Sequence, residues 1–228
     1  MSDIQLTLLE YRAERLPQTI AARTRRVYDR LAAVYPISTM LFHSRAHREA
    51  LKASGIRDGM DVLEVATGSG EMFRRLARVN PNGRTLGFDL SPKMAARAYG
   101  RVRRRHPLHR VHCQAVDARR MPFRNGAFDA LVCCYLLELL SAQDIAGTLG
   151  EFHRVLRSGG RLSLILIGQN STLFNRVYNV LGSLVPAFWG RQVERRVPEM
   201  IESRGFEILS DRTVRQTFYP SRVLVARK

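Results

Sequence analysis

Residues 60–70, MDVLEVATGSG, constrain the fold of this chain more than any other stretch. Met60, Val62, Leu63 and Val65 have the apolar, β-branched character of a parallel strand covered on both faces. Glu64 interrupts that run, and a carboxylate inside such a strand is costly unless something compensates it. Thr67, Gly68, Ser69 and Gly70 predict a tight turn whose small residues let a ligand approach the backbone. The spacing of Met72, Phe73, Leu76 and Val79 predicts a helix over 71–79 with those side chains inward. Strand, glycine turn and helix together make the first unit of a nucleotide-binding α/β domain. An ordinary strand-to-helix turn is the alternative that a lone G-x-G leaves open.

The glycine pattern is not the dinucleotide one, because Phe73 stands where G-x-G-x-x-G needs glycine or alanine. No P-loop lysine follows the turn. Glu71 occupies the first helical turn, where a diphosphate would meet bare amides and no carboxylate. The site therefore favours a nucleoside with little or no negative charge, and an NAD-dependent oxidoreductase is disfavoured.

The chain has 228 residues and 45% hydrophobic residues, enough for one α/β domain with a modest N-terminal extension. Its net charge of +17, carried almost entirely by arginine, attracts polyanions: nucleic acid, anionic lipid headgroups or acidic substrates. Cys113, Cys133 and Cys134 read as core residues, which suits a reducing cytoplasm and offers neither a disulfide framework nor a zinc site. The first residues lack a secretory pattern, and no run approaches the roughly 18 apolar residues of a membrane span.

Residues 1–55 read as an N-terminal helical extension or cap, and residues 56–228 as the nucleotide-binding domain. Pro17 opens one helix, rich in arginine, which Pro36 breaks; a second is expected over 38–53, ending at Gly55. This region suits a cap over a substrate pocket or contact with an anionic membrane, as well as simple packing. Strands are expected over 84–90, ending in Asp89 where a ribose diol would be held, over 111–116 before Asp117, over 128–134 and over 161–167. Ser91-Pro92 caps the helix that follows the second of these units. That helix ends in arginines with few aromatics, so a solvated end fits better than a nucleic-acid groove. A helix from Ser141 to Arg157 is expected to end at Ser158-Gly159-Gly160. Residues 170–190 are unusually apolar, suited to a lid over a greasy substrate or to core packing. Residues 206–209 and 216–226 read as a closing antiparallel pair.

Four segments in order resemble the class I S-adenosylmethionine-dependent methyltransferases, in the group of the ubiquinone/menaquinone biosynthesis C-methyltransferases (methyltransferase type 11). LEVATGSG at 63–70 resembles the first motif, E/D-x-x-x-G-x-G. GFDLSPKM at 87–94 resembles the second, with its ribose-binding acid. VDARRMPFRNGAFDALVCC at 116–134 resembles D-A-x-x-L-P-F-x-x-x-x-F-D, and HRVLRSGGRL at 153–162 resembles R-V-L-k-P-G-G-x-l with Ser158 for the usual proline. The resemblance covers about residues 27–210. It implies a Rossmann-like α/β fold: a seven-stranded sheet with helices on both faces and the last strand antiparallel. It implies S-adenosyl-L-methionine as cofactor, with Glu64, Ala66, Thr67, Gly68 and Gly70 around the methionine end. Asp89 would hold the ribose, Leu90 and Met94 would flank the adenine, Asp117 and Ala118 would meet the adenine edge, and Cys134 would touch the cofactor after the fourth strand.

A sulfonium methyl is already activated, so alignment, water exclusion and at most one positioned base are required. No nucleophilic residue and no metal are expected; Glu138 and His43 are the candidate bases. The expected function is methyl transfer to a small, lipid-like acceptor such as a quinone precursor. Phospholipid headgroup N-methylation at an anionic membrane is the alternative, and RNA methylation a further one. Nucleic acid is disfavoured, because CCYL stands after the fourth strand in place of N/D-P-P-Y/F. The expected location is the cytoplasm, with peripheral contact at the inner face of the membrane.

Overall fold

The computed structural model describes residues 35–168, 193, 195–216 and 220–228, with side chains from Ser44 onward. The helix expected after Pro17 and the apolar stretch 170–190 lie outside the described residues. The described elements are α1 (Tyr35–Ser54), β1 (Asp61–Val65), α2 (Glu71–Val79), β2 (Arg84–Asp89), α3 (Pro92–Arg103), β3 (Arg110–Ala115), β4 (Phe128–Cys134), a 3-10 turn (Leu137–Leu139), α4 (Ala142–Val155), β5 (Leu156–Ile167), α5 (Val197–Glu202), β6 (Glu207–Val214) and β7 (Ser221–Arg227).

The strands form one seven-stranded sheet in the order β3-β2-β1-β4-β5-β7-β6. Strands β1 to β5 pair in parallel, and β7 runs antiparallel between β5 and β6. Leu63 of β1 stands in register with Leu86 on one side and Leu131 on the other. Burial on both faces explains why these strands read as near-continuous apolar runs.

Successive side chains alternate between the faces. Leu63, Val65, Leu131, Cys133, Leu164 and Leu166 point to one face, where Leu149, Phe152 and Val155 of α4 and Val197 and Ile201 of α5 cover them. Val62, Ala130, Val132, Ile165 and Val223 point to the other, beneath Ala46 and Ala50 of α1 and Met72 and Leu76 of α2. Glu64 shares the parity of Val62, so its carboxylate lies on the face that α1 and α2 cover. Ser91 accepts a hydrogen bond from the Met94 amide at 3.2 Å ahead of Pro92, the cap that the sequence suggests.

Pro36 sits in the first turn of α1, where its missing N–H leaves no helical bond unmade; the helix it was expected to end lies outside the described residues. One local expectation is corrected. Residues 156–160 are the start of β5, not a helix end and cap. Phe128 pairs with Leu156, and the register then shifts so that Ala130 meets Arg161. Lys228 fixes this bulged start: its carbonyl accepts from the Gly159 amide at 2.9 Å, and its ammonium donates to the His153 and Leu156 carbonyls at 2.7 and 2.8 Å.

Candidate active site

Strand order reverses direction between β1 and β4, and open α/β sheets bind ligands beyond the C-terminal ends of strands at such a point. A cleft lies there, lined by His47 of α1, Glu64 and Ala66 at the end of β1, Thr67, Gly68 and Ser69 of the turn, Glu71 and Met72 of α2, and Cys134 and Tyr135 after β4. Among the described residues, two non-glycine residues take left-handed backbone, Ala66 at φ 60° and Tyr135 at φ 55°, and both line this cleft. Strain of that kind persists only where the surroundings over-determine the backbone, as they do around binding sites.

The turn is held from three sides. The Thr67 amide donates to the Phe88 carbonyl at 3.1 Å, and the Gly70 amide to the Thr67 carbonyl at 2.8 Å. The Gly68 amide donates to Asp89 Oδ2 at 2.9 Å, while Asp89 Oδ1 accepts from the Ser91 amide at 2.9 Å. Arg101 of α3 donates to the Ser69 carbonyl at 3.2 Å. Asp89 therefore ties the end of β2 to the glycine turn through backbone amides.

Two carboxylates line the cleft in opposite electrostatic states. Glu71 pairs with Arg74, Arg75 and Arg101 at 2.8, 3.1 and 2.9 Å. Burial alone would raise its carboxyl, but the hydrogen bond and charge of Arg74, with Arg101 and Arg75, outweigh that and hold it below the usual range. Glu64 is 1% exposed, and its Oε2 has no hydrogen-bond partner among the described residues. Burial first, then the charges of Asp89 and Glu71, push its carboxyl well above the usual range. An orphaned acid in a glycine-walled cleft fits a ligand that brings positive charge and donors, as a sulfonium amino acid does.

Tyr135 closes another side. Its hydroxyl lies 2.7 Å from Ser221 Oγ and 3.4 Å from Gln216 Nε2. Gln216 also donates to Ser221 Oγ at 2.6 Å, and its Oε1 accepts from the Ala46 amide at 3.3 Å. The network joins α1, the end of β4 and the start of β7. Burial pushes the Tyr135 phenol and the Cys134 thiol up.

Of the residues singled out in the sequence, Glu64, Ala66, Thr67, Gly68 and Cys134 line the cleft. Gly70 follows at φ 75°, where an added Cβ would stand 2.7 Å from the Ala98 backbone. Leu90, Met94, Asp117 and Ala118 stand beyond the ends of β2 and β3, the next strands out. Met94 is buried. Both Asp117 oxygens accept from the Arg119 guanidinium, at 2.7 to 3.2 Å, and Arg119 reaches Asp144 at 3.3 Å. Burial acts to raise the Asp117 carboxyl, but Arg119 outweighs it and holds the group low. Glu138 is buried away from the cleft lining, and its Oε1 accepts from the Ile167 amide at 2.7 Å, securing the end of β5. His43 lies in α1, and its side chain is outside the described residues.

Sequence reasoning passed over His47, Met72 and Tyr135 as lining. His47 carries a local signal: it falls on the same helical face as Ala46 and Ala50, which are buried. What that face meets depends on strands far along the chain.

Residues 62–160 match the family model of the methyltransferase domain. The chain is 27% identical over 179 residues to the ubiquinone/menaquinone biosynthesis C-methyltransferase of Cellvibrio japonicus, a match covering 76% of this chain and 71% of that protein. It is 30% identical over 144 residues to the 2-phytyl-1,4-naphtoquinone methyltransferase of Nostoc punctiforme, covering 61% of this chain and 62% of that one. The fold superposes with a TM-score of 0.72 on the Burkholderia thailandensis 1,6-didemethyltoxoflavin-N1-methyltransferase, at 16% identity over 95% of this chain and 92% of that one; that structure holds S-adenosylhomocysteine. With the motif order, the sheet topology and the cleft at the β1–β4 switch point, these likenesses show a methyltransferase domain over residues 62–160, in a chain whose fold is that of the class I S-adenosylmethionine-dependent methyltransferases.

Proposed function

We propose that this enzyme transfers the methyl group of S-adenosylmethionine to a small, lipid-like acceptor of the quinone-precursor kind. The observation that carries the cofactor half is the buried Glu64 carboxyl, its Oε2 without a partner among the described residues, set against the glycine turn. Relatives named for quinone methylation support the acceptor half. When bound, the cofactor supplies a methyl group already activated on sulfonium sulfur.

In this reading Glu64 meets the positive methionine end, and Gly68 and Gly70 give the backbone its close approach. Asp89, oriented by the Gly68 and Ser91 amides, takes the ribose hydroxyls. Leu90, Met94, Asp117 and Ala118 frame the adenine, with Cys134 beside the cofactor after β4. Residues 1–55 act as a cap, of which α1 is the part laid over the cleft face of the sheet. Covering the cleft excludes water and aligns the acceptor, which is most of what this chemistry asks.

Contact with an anionic membrane is a second element of the proposal. Arg74, Arg75 and Arg101 outnumber the single carboxylate they share, so the α2–α3 side beside the cleft keeps net positive charge. Among the described residues no helix is long and apolar enough to cross a membrane.

The test is methylation with labelled S-adenosylmethionine of three substrates in parallel: a short-tailed demethylnaphthoquinol, phosphatidylethanolamine vesicles and total RNA. Label in the quinol supports the proposal. Label confined to the phospholipid or to RNA overturns the acceptor and leaves the cofactor assignment standing.

A further inference from the structure

We propose that His47 is the general base that takes the acceptor's proton; the inference rests on reading the cleft as a methyl-transfer site. His47 is 3% exposed and reaches the lining from α1, whereas the glycine turn and Glu64 reach it from β1. A base serving the acceptor must stand within reach of the reacting atom in a dry site.

The other titratable groups facing this space have other roles. Glu71 of α2 is held by three guanidiniums, that of Arg75 among them. Glu64 of β1 answers the positive ligand. The Cys134 thiol is pushed up by burial, and the Tyr135 hydroxyl is bonded to Ser221 and Gln216. Arg48, next to His47 on its own helix, carries only positive charge. Imidazole is the remaining side chain whose ordinary titration range spans neutral pH.

The fold also fixes where this imidazole stands. The helix turn that carries it is pinned through the Ala46 amide to Gln216, and Gln216 shares Ser221 with Tyr135. The His47 and Tyr135 rings lie 6.5 Å apart between centroids, inclined at 45°.

For a quinol acceptor the step balances as follows. The hydroxyl O–H bond breaks and its proton passes to the imidazole. The oxygen's electrons reach the adjacent ring carbon, which forms the new bond to the methyl carbon. The methyl–sulfur bond breaks with its electron pair remaining on sulfur. The ring carbon's own proton returns to the oxygen, restoring the aromatic ring, and the imidazolium releases one proton to water.

The test has two readouts on the full chain. In the first, histidine-labelled protein is followed by NMR, with His47 assigned by comparison with His47→Gln. Saturation with S-adenosylhomocysteine is expected to move the His47 resonances and leave those of the distant His112 and His153 in place. Unmoved His47 resonances overturn the proposal; this readout needs no turnover, and where His47→Gln does not fold, sequential backbone assignment of the wild-type protein identifies the resonances. In the second, His47→Gln is assayed on 1,4-naphthohydroquinone. The expected result is S-adenosylhomocysteine affinity within about threefold, kcat lower by roughly 10²–10⁴, and loss of the acid limb of the kcat–pH profile. A variant that keeps that limb and a near-normal kcat overturns the proposal. If the wild-type enzyme leaves the quinol unmethylated, the acceptor reading alone fails, and His47 stands or falls by its resonances.

Discussion

Glu64 and Glu71 flank one glycine turn and line one cleft, yet Glu71 is held by three arginines while Glu64 Oε2 has no partner among the described residues. In the proposed function the pair separates structural charge from binding charge. The Glu71 carboxyl titrates below its unfolded value, so its contribution to stability is present above that value and is lost as pH falls through the folded one. The Glu64 carboxyl titrates above its unfolded value, so its contribution is present in acid and is lost as pH rises through the folded one.

Glu64→Gln is therefore expected to raise the Tm of the ligand-free enzyme at pH 7–8 and to flatten its decline with rising pH. The same substitution removes the charge that answers the sulfonium ligand. Losing a charge-assisted interaction of about 1.5–3 kcal/mol weakens binding roughly ten- to a hundredfold. Differential scanning calorimetry with and without S-adenosylmethionine reads both effects. A variant that is less stable without ligand, yet binds as tightly as wild type, contradicts the assignment.

Asp89 couples the turn to the end of β2 through the Gly68 and Ser91 amides. Asp89→Ala is expected to lower S-adenosylhomocysteine affinity by about ten- to a hundredfold, because it removes both the proposed ribose acceptor and the tether of the turn. Asp89→Asn keeps an acceptor oxygen and should recover part of the loss. Titration calorimetry on the three proteins, with circular dichroism to confirm folding, checks the order.

Gly70 meets two demands at once, a φ of 75° and a Cβ position 2.7 Å from the Ala98 backbone. Any side chain there must strain the turn and push α3 away. Gly70→Ala is expected to destabilise the fold by roughly 1–3 kcal/mol and to weaken cofactor binding with it. Urea denaturation gives the first quantity. An unchanged midpoint would mean that the turn relaxes without cost.

The central sheet was legible because local chemistry and final environment agree. Both faces of β1, β2 and β4 are buried, so their sequences are predominantly apolar, and Ser91-Pro92 signals its helix start wherever α3 packs. Residues 156–160 misled because Ser158-Gly159-Gly160 has helix-cap chemistry, while pairing with Phe128 and the bonds to Lys228 make it a strand. His47 was passed over for a related reason. Periodicity identifies the buried face of α1, but β5 and β7, more than a hundred residues later, decide what that face meets.

Gln216 tests that long-range dependence directly. It follows β6 and nothing in its local sequence marks it, yet its side chain holds the Ala46 amide at 3.3 Å and Ser221 Oγ at 2.6 Å. Ser221 in turn holds the Tyr135 hydroxyl at 2.7 Å. Gln216→Leu keeps the bulk and removes both bonds and the 3.4 Å bond to the Tyr135 hydroxyl, leaving polar groups of the network unsatisfied at about 1–3 kcal/mol. The loss should be local, because the apolar contacts of Ala46 and Ala50 with the sheet remain. Hydrogen exchange is therefore expected to speed up in residues 44–50 and around Tyr135, while β1 and β2 keep their protection. The affinity for S-adenosylhomocysteine should change by less than about threefold, because the glycine turn and Asp89 are untouched. The acceptor KM should rise, because α1 and Tyr135 then no longer hold one geometry. Uniformly faster exchange across the sheet would instead mean that Gln216 supports the whole fold, and that α1 is not an independently tethered wall of the cleft.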